Sequence, residues 1–214
     1  MKEDKTKKTI RNLGVAATAG IPIVGGPISV ILDKYLPDFV EQRRGNFLNQ
    51  LNDELEVLLK SELETDTESD RFISIFIRCV KLALEEYEQE KIDAFRNIIL
   101  NSSLPSKQDF DLTTLMMNWV REFSVDQIRI IKAVKENPSI ANYSEHSDLY
   151  YALKDYFPEI PKLFLITLSQ DLITKNIVLY GKGKIQNDIP YETGKYWYLS
   201  EVGEAFVDYI TKPV

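Results

Sequence analysis

The sequence predicts a mainly α-helical chain with one small β-hairpin near its C-terminal end, on three observations. Apolar residues recur at three- and four-residue spacing between Phe47 and Phe123. Capping and stopping residues in "TDTESD", "NSSLP" and "KENP" punctuate that pattern. Only "IVLYG" and "YWYLS" carry the branched and aromatic runs of strands. With 214 residues, 44% hydrophobic and 28% charged, the chain suits one large domain or two small ones and should fold.

Residues 1–32 stand apart from the rest. A tail over residues 1–12 carries five basic and two acidic side chains, and Leu13–Leu32 carries no charge. Twenty uncharged residues would match the roughly 20 needed to span a bilayer core. This stretch, however, holds four Gly and two Pro, and "IPIVGGP" puts a helix break at its centre. Backbone groups freed in lipid cost about several kcal/mol each, so a lone spanning helix is disfavoured. A secretory signal is disfavoured too, because "DKYLPDF" rather than small cleavage residues follows the run. The expected arrangement is two short apolar pieces hinged at Gly25-Gly26-Pro27 and sheltered in the protein. Insertion of Ile21, Ile23, Val24, Gly25, Gly26, Pro27 and Ile28 into a partner or a membrane is the alternative.

A helical domain is expected over residues 33–123. Phe47, Leu48, Leu51, Leu55, Leu58 and Leu59 make one apolar stripe, with Gly45 favouring a bend or late start. One long helix is predicted from about Asp70 to Asn101, with Phe72, Ile73, Phe76, Val80, Ala83, Leu84 and Tyr87 on its inner face and Phe95, Ile98 and Ile99 continuing it. A shorter helix follows, with Leu112, Leu115, Met116, Trp119, Val120 and Phe123 inward.

From residue 124 to 214 the character changes. Ser124 and Gln127 stand in a capping-box relation, and Pro138 ends that helix. "SDLYYALKDYFP" is a second short helix, capped by Ser147 and ended by Pro158, and "IPKLFLITLSQDLITKN" is a third, dense in apolar residues. The two strands follow, and "SEVGEAFVDYITK" closes the chain, capped by Ser200 with Val202, Phe206, Val207 and Ile210 inward. In its element order, and in the phrases "LSQDLITKNIVLYG" and "YWYLSEVGEAFVDYI", this part resembles a winged-helix domain. The resemblance implies a third helix and a wing available for contacts.

The residues for chemistry are sparse. His146 is the only histidine, so no two-histidine metal site can form, and it reads as a loop residue. Cys79, the only cysteine, lies among apolar neighbours at helical spacing and reads as a small buried hydrophobe; its solitude suits a reducing cytoplasm. The run Glu85, Glu86, Glu88 and Glu90 reads as a solvated helix face, with Lys91 and Asp93 near Glu86 and Glu90. "GKGK" from Gly181 lacks the spacing of a phosphate-binding loop and reads as a hairpin tip. No catalytic residue, metal site or cofactor is expected.

Partners are constrained by charge. The net charge is −7; residues 33–104 carry nine basic against sixteen acidic side chains, and residues 125–214 ten against twelve. A winged helix bound to DNA would use Lys162, Thr167, Ser169, Gln170 and Lys175 in a groove and Lys182, Lys184 and Lys195 on phosphates. Yet Arg129 is the only arginine after Arg121, and the region is slightly acidic, which disfavours DNA. A non-enzymatic interaction or regulatory protein is therefore expected, cytoplasmic or peripheral to a membrane. Its partner would be another protein or a second copy, within a larger assembly. "GIPIVGGPISVILDKYLP" followed by "EKIDAFRNIIL" is similar to uncharacterised bacterial and phage-borne proteins, a resemblance that implies a place in phage conflict.

Overall fold

The structure, a computed structural model, describes residues 41–61, 63–105, 109–137, 140, 148–181 and 196–213, with the backbone alone for 41–44 and 196. The hinged segment from Ile21 to Ile28, Pro138, His146, Ser147, and Lys182, Lys184 and Lys195 lie outside the described residues. The described chain is mainly helical, with eight α-helices and one two-stranded antiparallel sheet in its C-terminal part. It divides into two compact units: the described residues of the first are 41–121 and 210–213, and those of the second lie within Glu122–Tyr209.

The first unit begins with α1 (Glu41–Lys60), which runs through Gly45 without interruption. Of its expected stripe, Phe47, Leu48, Leu51, Leu55 and Leu58 are buried and Leu59 is half-buried. Next come α2 (Asp70–Glu85) and α3 (Gln89–Ser102). The sequence predicts one helix here; the chain instead turns at Glu86–Glu88. Asp66 N donates to Ser103 O at 2.7 Å, so the start of α2 meets the end of α3 and the two form a helical hairpin.

Electrostatics explains the turn. In a continuous helix Glu86 and Glu90 would repel at i, i+4. With the backbone extended at Glu86 (φ −83°, ψ 148°), its carboxylate accepts from Tyr87 N at 2.8 Å and Glu88 N at 3.3 Å. The same carboxylate pairs with Lys91 Nζ at 2.8 Å. Tyr87, expected on the inner face, is accordingly 79% exposed, while Ile75 and Cys79 join Phe72, Phe76 and Val80 in the core.

Helix α4 (Phe110–Glu122) is rotated from its expected setting: Leu115 is exposed, and Thr113 and Met117 are buried with Met116 and Val120. Thr113 can face inward because its hydroxyl donates to Asp109 O at 2.7 Å. Arg96 on α3 ties to Glu54 Oε2 (2.9 Å) and Gln50 Oε1 (3.0 Å) on α1. Ile210 and Thr211 are held here as well, with Asn97 and Asn101 donating to Ile210 O and Thr211 O, each at 2.8 Å.

The second unit contains α5 (Val125–Glu136), α6 (Leu149–Leu153), α7 (Lys162–Thr174), β1 (Val178–Gly181), β2 (Tyr196–Leu199) and α8 (Glu201–Ile210) up to Tyr209. The capping box at Ser124 is formed, with Gln127 N donating to Ser124 Oγ and Ser124 N to Gln127 Oε1. Helix α6 is shorter than expected. Asp148 caps it through Tyr150 N, and it ends at Leu153, well before Pro158.

Two tight connections place the hairpin. At the end of α7, Asn176 takes a left-handed conformation (φ 55°). Its N–H donates to Ile173 O and that of Ile177 to Leu172 O, a Schellman closure that turns the chain directly into β1. Val178 then pairs with Leu199, and Gly181 with Tyr196. Ser200 N donates to Ile177 O at 2.9 Å, and Ser200 Oγ accepts from Gly203 N at 3.0 Å, capping α8 as expected. Phe206, Val207 and Ile210 are buried in α8, but Val202 is exposed and Tyr209 is buried in its stead.

Candidate interaction surface

The polar clusters of the first unit are structural. Lys91 and Glu86 keep 11% and 18% side-chain exposure, and the Lys91 ammonium also donates to Arg121 O, the C-terminal end of α4, at 3.1 Å. Burial alone would raise the Glu86 pKa; hydrogen bonds from Lys91 and from the Tyr87 and Glu88 amides outweigh it and hold the carboxyl below its ordinary value. That is the environment of a permanent ion, unsuited to a proton-transferring acid. Cys79 is buried, and burial, opposed only weakly by Arg78, pushes its thiol far above the usual range. It is therefore no nucleophile at neutral pH. Among the described residues, no three His, Cys, Asp or Glu gather where they could hold a metal ion.

The second unit joins its helices with a few polar pairs. Gln127 Nε2 on α5 donates to Asp171 Oδ2 on α7 at 2.7 Å, so one side chain both closes a capping box and braces a neighbouring helix. Lys135 on α5 pairs with Glu204 (2.9 Å) and Asp208 (2.7 Å) on α8. Burial lowers the Lys135 pKa, but the bonds to Asp208 and Glu204 outweigh it and leave it raised. Phe123 and Phe206 meet edge to face, with centroids 5.7 Å apart.

The residues expected on a DNA-reading face divide sharply. Ser169 is buried and donates to Leu165 O, so it reaches nothing outside. Thr167 is exposed, but its hydroxyl donates to Leu163 O of its own helix. Lys175, half-buried, leans towards Asp171 at 3.5 Å. Lys162 lies over the Tyr150 ring at 5.3 Å. Gln170 is exposed. The outward face of α7 therefore carries no charge between Lys162 and Asp171, where phosphate contacts would be needed.

That face presents apolar surface at its start. Leu163 is 78% exposed and the adjacent Phe164 47%. No side chain caps the first turn of α7, whose N-cap is Pro161. Beside it, Tyr150 and Tyr151 meet edge to face at 5.3 Å, with Lys154 over Tyr151 at 6.0 Å. Sequence reasoning foresaw an apolar third helix but not this cluster. The available signal was that "KLFLITL" is apolar on every side, more than an inner face alone can use. No helix among the described residues is long and apolar enough to cross a membrane. No protein-family model, curated protein or solved structure matches the chain, so this surface must be read from its own chemistry.

Proposed function

We propose that this protein is a non-enzymatic interaction protein, a cytoplasmic subunit of a larger assembly, whose winged-helix-like part binds protein through α7. The observation that carries the reading is the exposure of Leu163 and Phe164 on a helix whose outward face carries no charge between Lys162 and Asp171, too little for a phosphate-binding stripe. Leu163 and Phe164, at 78% and 47% exposure, leave adjacent apolar surface for a partner to cover, and Phe is among the residues enriched in protein interfaces. The test is affinity capture of the tagged chain from its own host beside a Leu163→Asp, Phe164→Asp variant. A partner retained by the parent and lost by the variant supports the reading; equal recovery refutes it.

A second reading rests on the basic tail and the uncharged run of residues 13–32, which would suit insertion into a membrane as an effector, in keeping with the resemblance to phage-borne proteins. Liposome flotation tests it, since removal of residues 1–32 should abolish binding.

A further inference from the structure

We infer that the surface formed by the α6–α7 connection and the first turn of α7 associates with the same surface of a second copy of this chain. The inference rests on the protein-binding reading of α7 and names its partner. Three features favour a copy. Residues 154–164 carry two basic side chains, Lys154 and Lys162, and two acidic ones, Asp155 and Glu159, in a chain whose net charge is −7. Two such molecules repel over most of their surfaces, and this neutral patch is relieved of that repulsion. A two-fold interface must be self-complementary, because each group meets the partner's equivalent patch. Equal numbers of lysines and carboxylates around an apolar centre satisfy that demand, whereas an acidic or a basic partner would leave two of the four charges opposed by like charge.

The centre is apolar and held in place. Leu163, Phe164 and Tyr156 (41% exposed) supply it, while buried Phe157 and Ile160 pin the connection from beneath, with Ile160 N donating to Phe157 O at 3.1 Å. Lys162 lies over Tyr150 and Lys154 over Tyr151, contacts that favour these lysine positions before association. The patch is smaller than the roughly 20–30 residues a side of a standard interface. Self-association should therefore be weak and visible only at micromolar concentrations and above.

The experiment is sedimentation velocity from low micromolar to several hundred micromolar, on the full chain and three variants, each checked for native far-UV circular dichroism. The parent should show a rising weight-average sedimentation coefficient, and Leu163→Asp should weaken association by about tenfold or more. A chain with Lys154→Glu and Lys162→Glu, and another with Asp155→Lys and Glu159→Lys, should each remain monomeric alone yet associate one-to-one when mixed. A parent that stays monomeric overturns the inference. So does self-association that is undiminished in Leu163→Asp, or a mixture that does not pair. If the parent is monomeric but Leu163→Asp still abolishes capture of a host protein, the partner named here is wrong and the protein-binding reading survives. Loss of neither defeats both.

Discussion

Replacing Lys91 with Met tests what holds the first unit together. The substitution keeps most of the side chain's length and apolar stem and removes two bonds: the 2.8 Å ion pair to Glu86 and the 3.1 Å bond to Arg121 O. Hydrogen bonds to charged groups contribute about 1.5–3 kcal/mol each, and breaking a fully buried pair costs roughly 3–5 kcal/mol. Here each partner retains some exposure, and Glu86 keeps its two amide donors, so about 2–4 kcal/mol is expected. At about 2–4 °C per kcal/mol for a chain of this size, the transition should fall by roughly 4–16 °C. Each unit contains one tryptophan, Trp119 in α4 and Trp197 in β2, so fluorescence in a Trp197→Phe background reports the first unit during urea unfolding. Glu86→Gln supplies the cycle: if the pair acts as described, the double variant loses less than the sum of the single losses. The pH dependence has a definite sign. A carboxyl whose folded pKa is depressed contributes stability above its unfolded pKa and loses it as pH falls through the folded value. The difference between parent and Lys91→Met should therefore shrink in acid. A change below about 0.5 kcal/mol, or strict additivity with Glu86→Gln, would refute the assignment.

Substitutions at three further positions probe the second unit. Gln127→Glu preserves the acceptor for the Ser124 amide but sets a carboxylate against Asp171; unfolding followed through Trp197 in a Trp119→Phe background should show a loss of about 1–3 kcal/mol at neutral pH, relieved as pH falls and one carboxyl protonates. Gly203→Ala would bring a methyl within 2.5 Å of Ile177 O, where backbone must move; about 1–3 kcal/mol should be lost in thermal unfolding. Asn176→Val places a branched residue at φ 55° and should cost about 1–2 kcal/mol, whereas Asn176→Gly should be tolerated, a contrast readable by urea titration.

Much of this architecture was legible because local chemistry and packing agree. Apart from exposed Val57, α1 is apolar inside and polar outside, so its buried residues could be named from spacing alone. The capping box at Ser124 and the cap at Ser200 need only short-range partners. The errors arise where a distant group decides. Nothing within "EEYEQEKID" reveals that Lys91 will reach both Glu86 and the end of α4, thirty residues on, so the helix break was invisible to periodicity. The rotation of α4 depends on Thr113 satisfying its hydroxyl with Asp109 O, which lets a polar residue take a position that Leu115 was expected to fill. The candidate surface was half legible: excess apolar character in α7 can be read from composition, but which residues remain uncovered depends on how α6 and the hairpin pack against its other side.

That division gives the last prediction its force. Leu165, Leu168 and Leu172 are buried, and truncating any of them to Ala should cost about 2–5 kcal/mol because a cavity replaces packed atoms. Leu163, on the same helix, contributes little to the folded monomer, since most of its surface already meets water. Leu163→Lys should therefore change unfolding free energy by no more than about 0.5 kcal/mol in either direction while removing an anchor of the association surface. A residue retained only for packing would show the opposite pattern, with stability lost and association untouched. Urea titration beside sedimentation on the same sample separates the two. A loss of more than about 1 kcal/mol would mean that Leu163 supports the monomer, and its exposure would then say nothing about a partner.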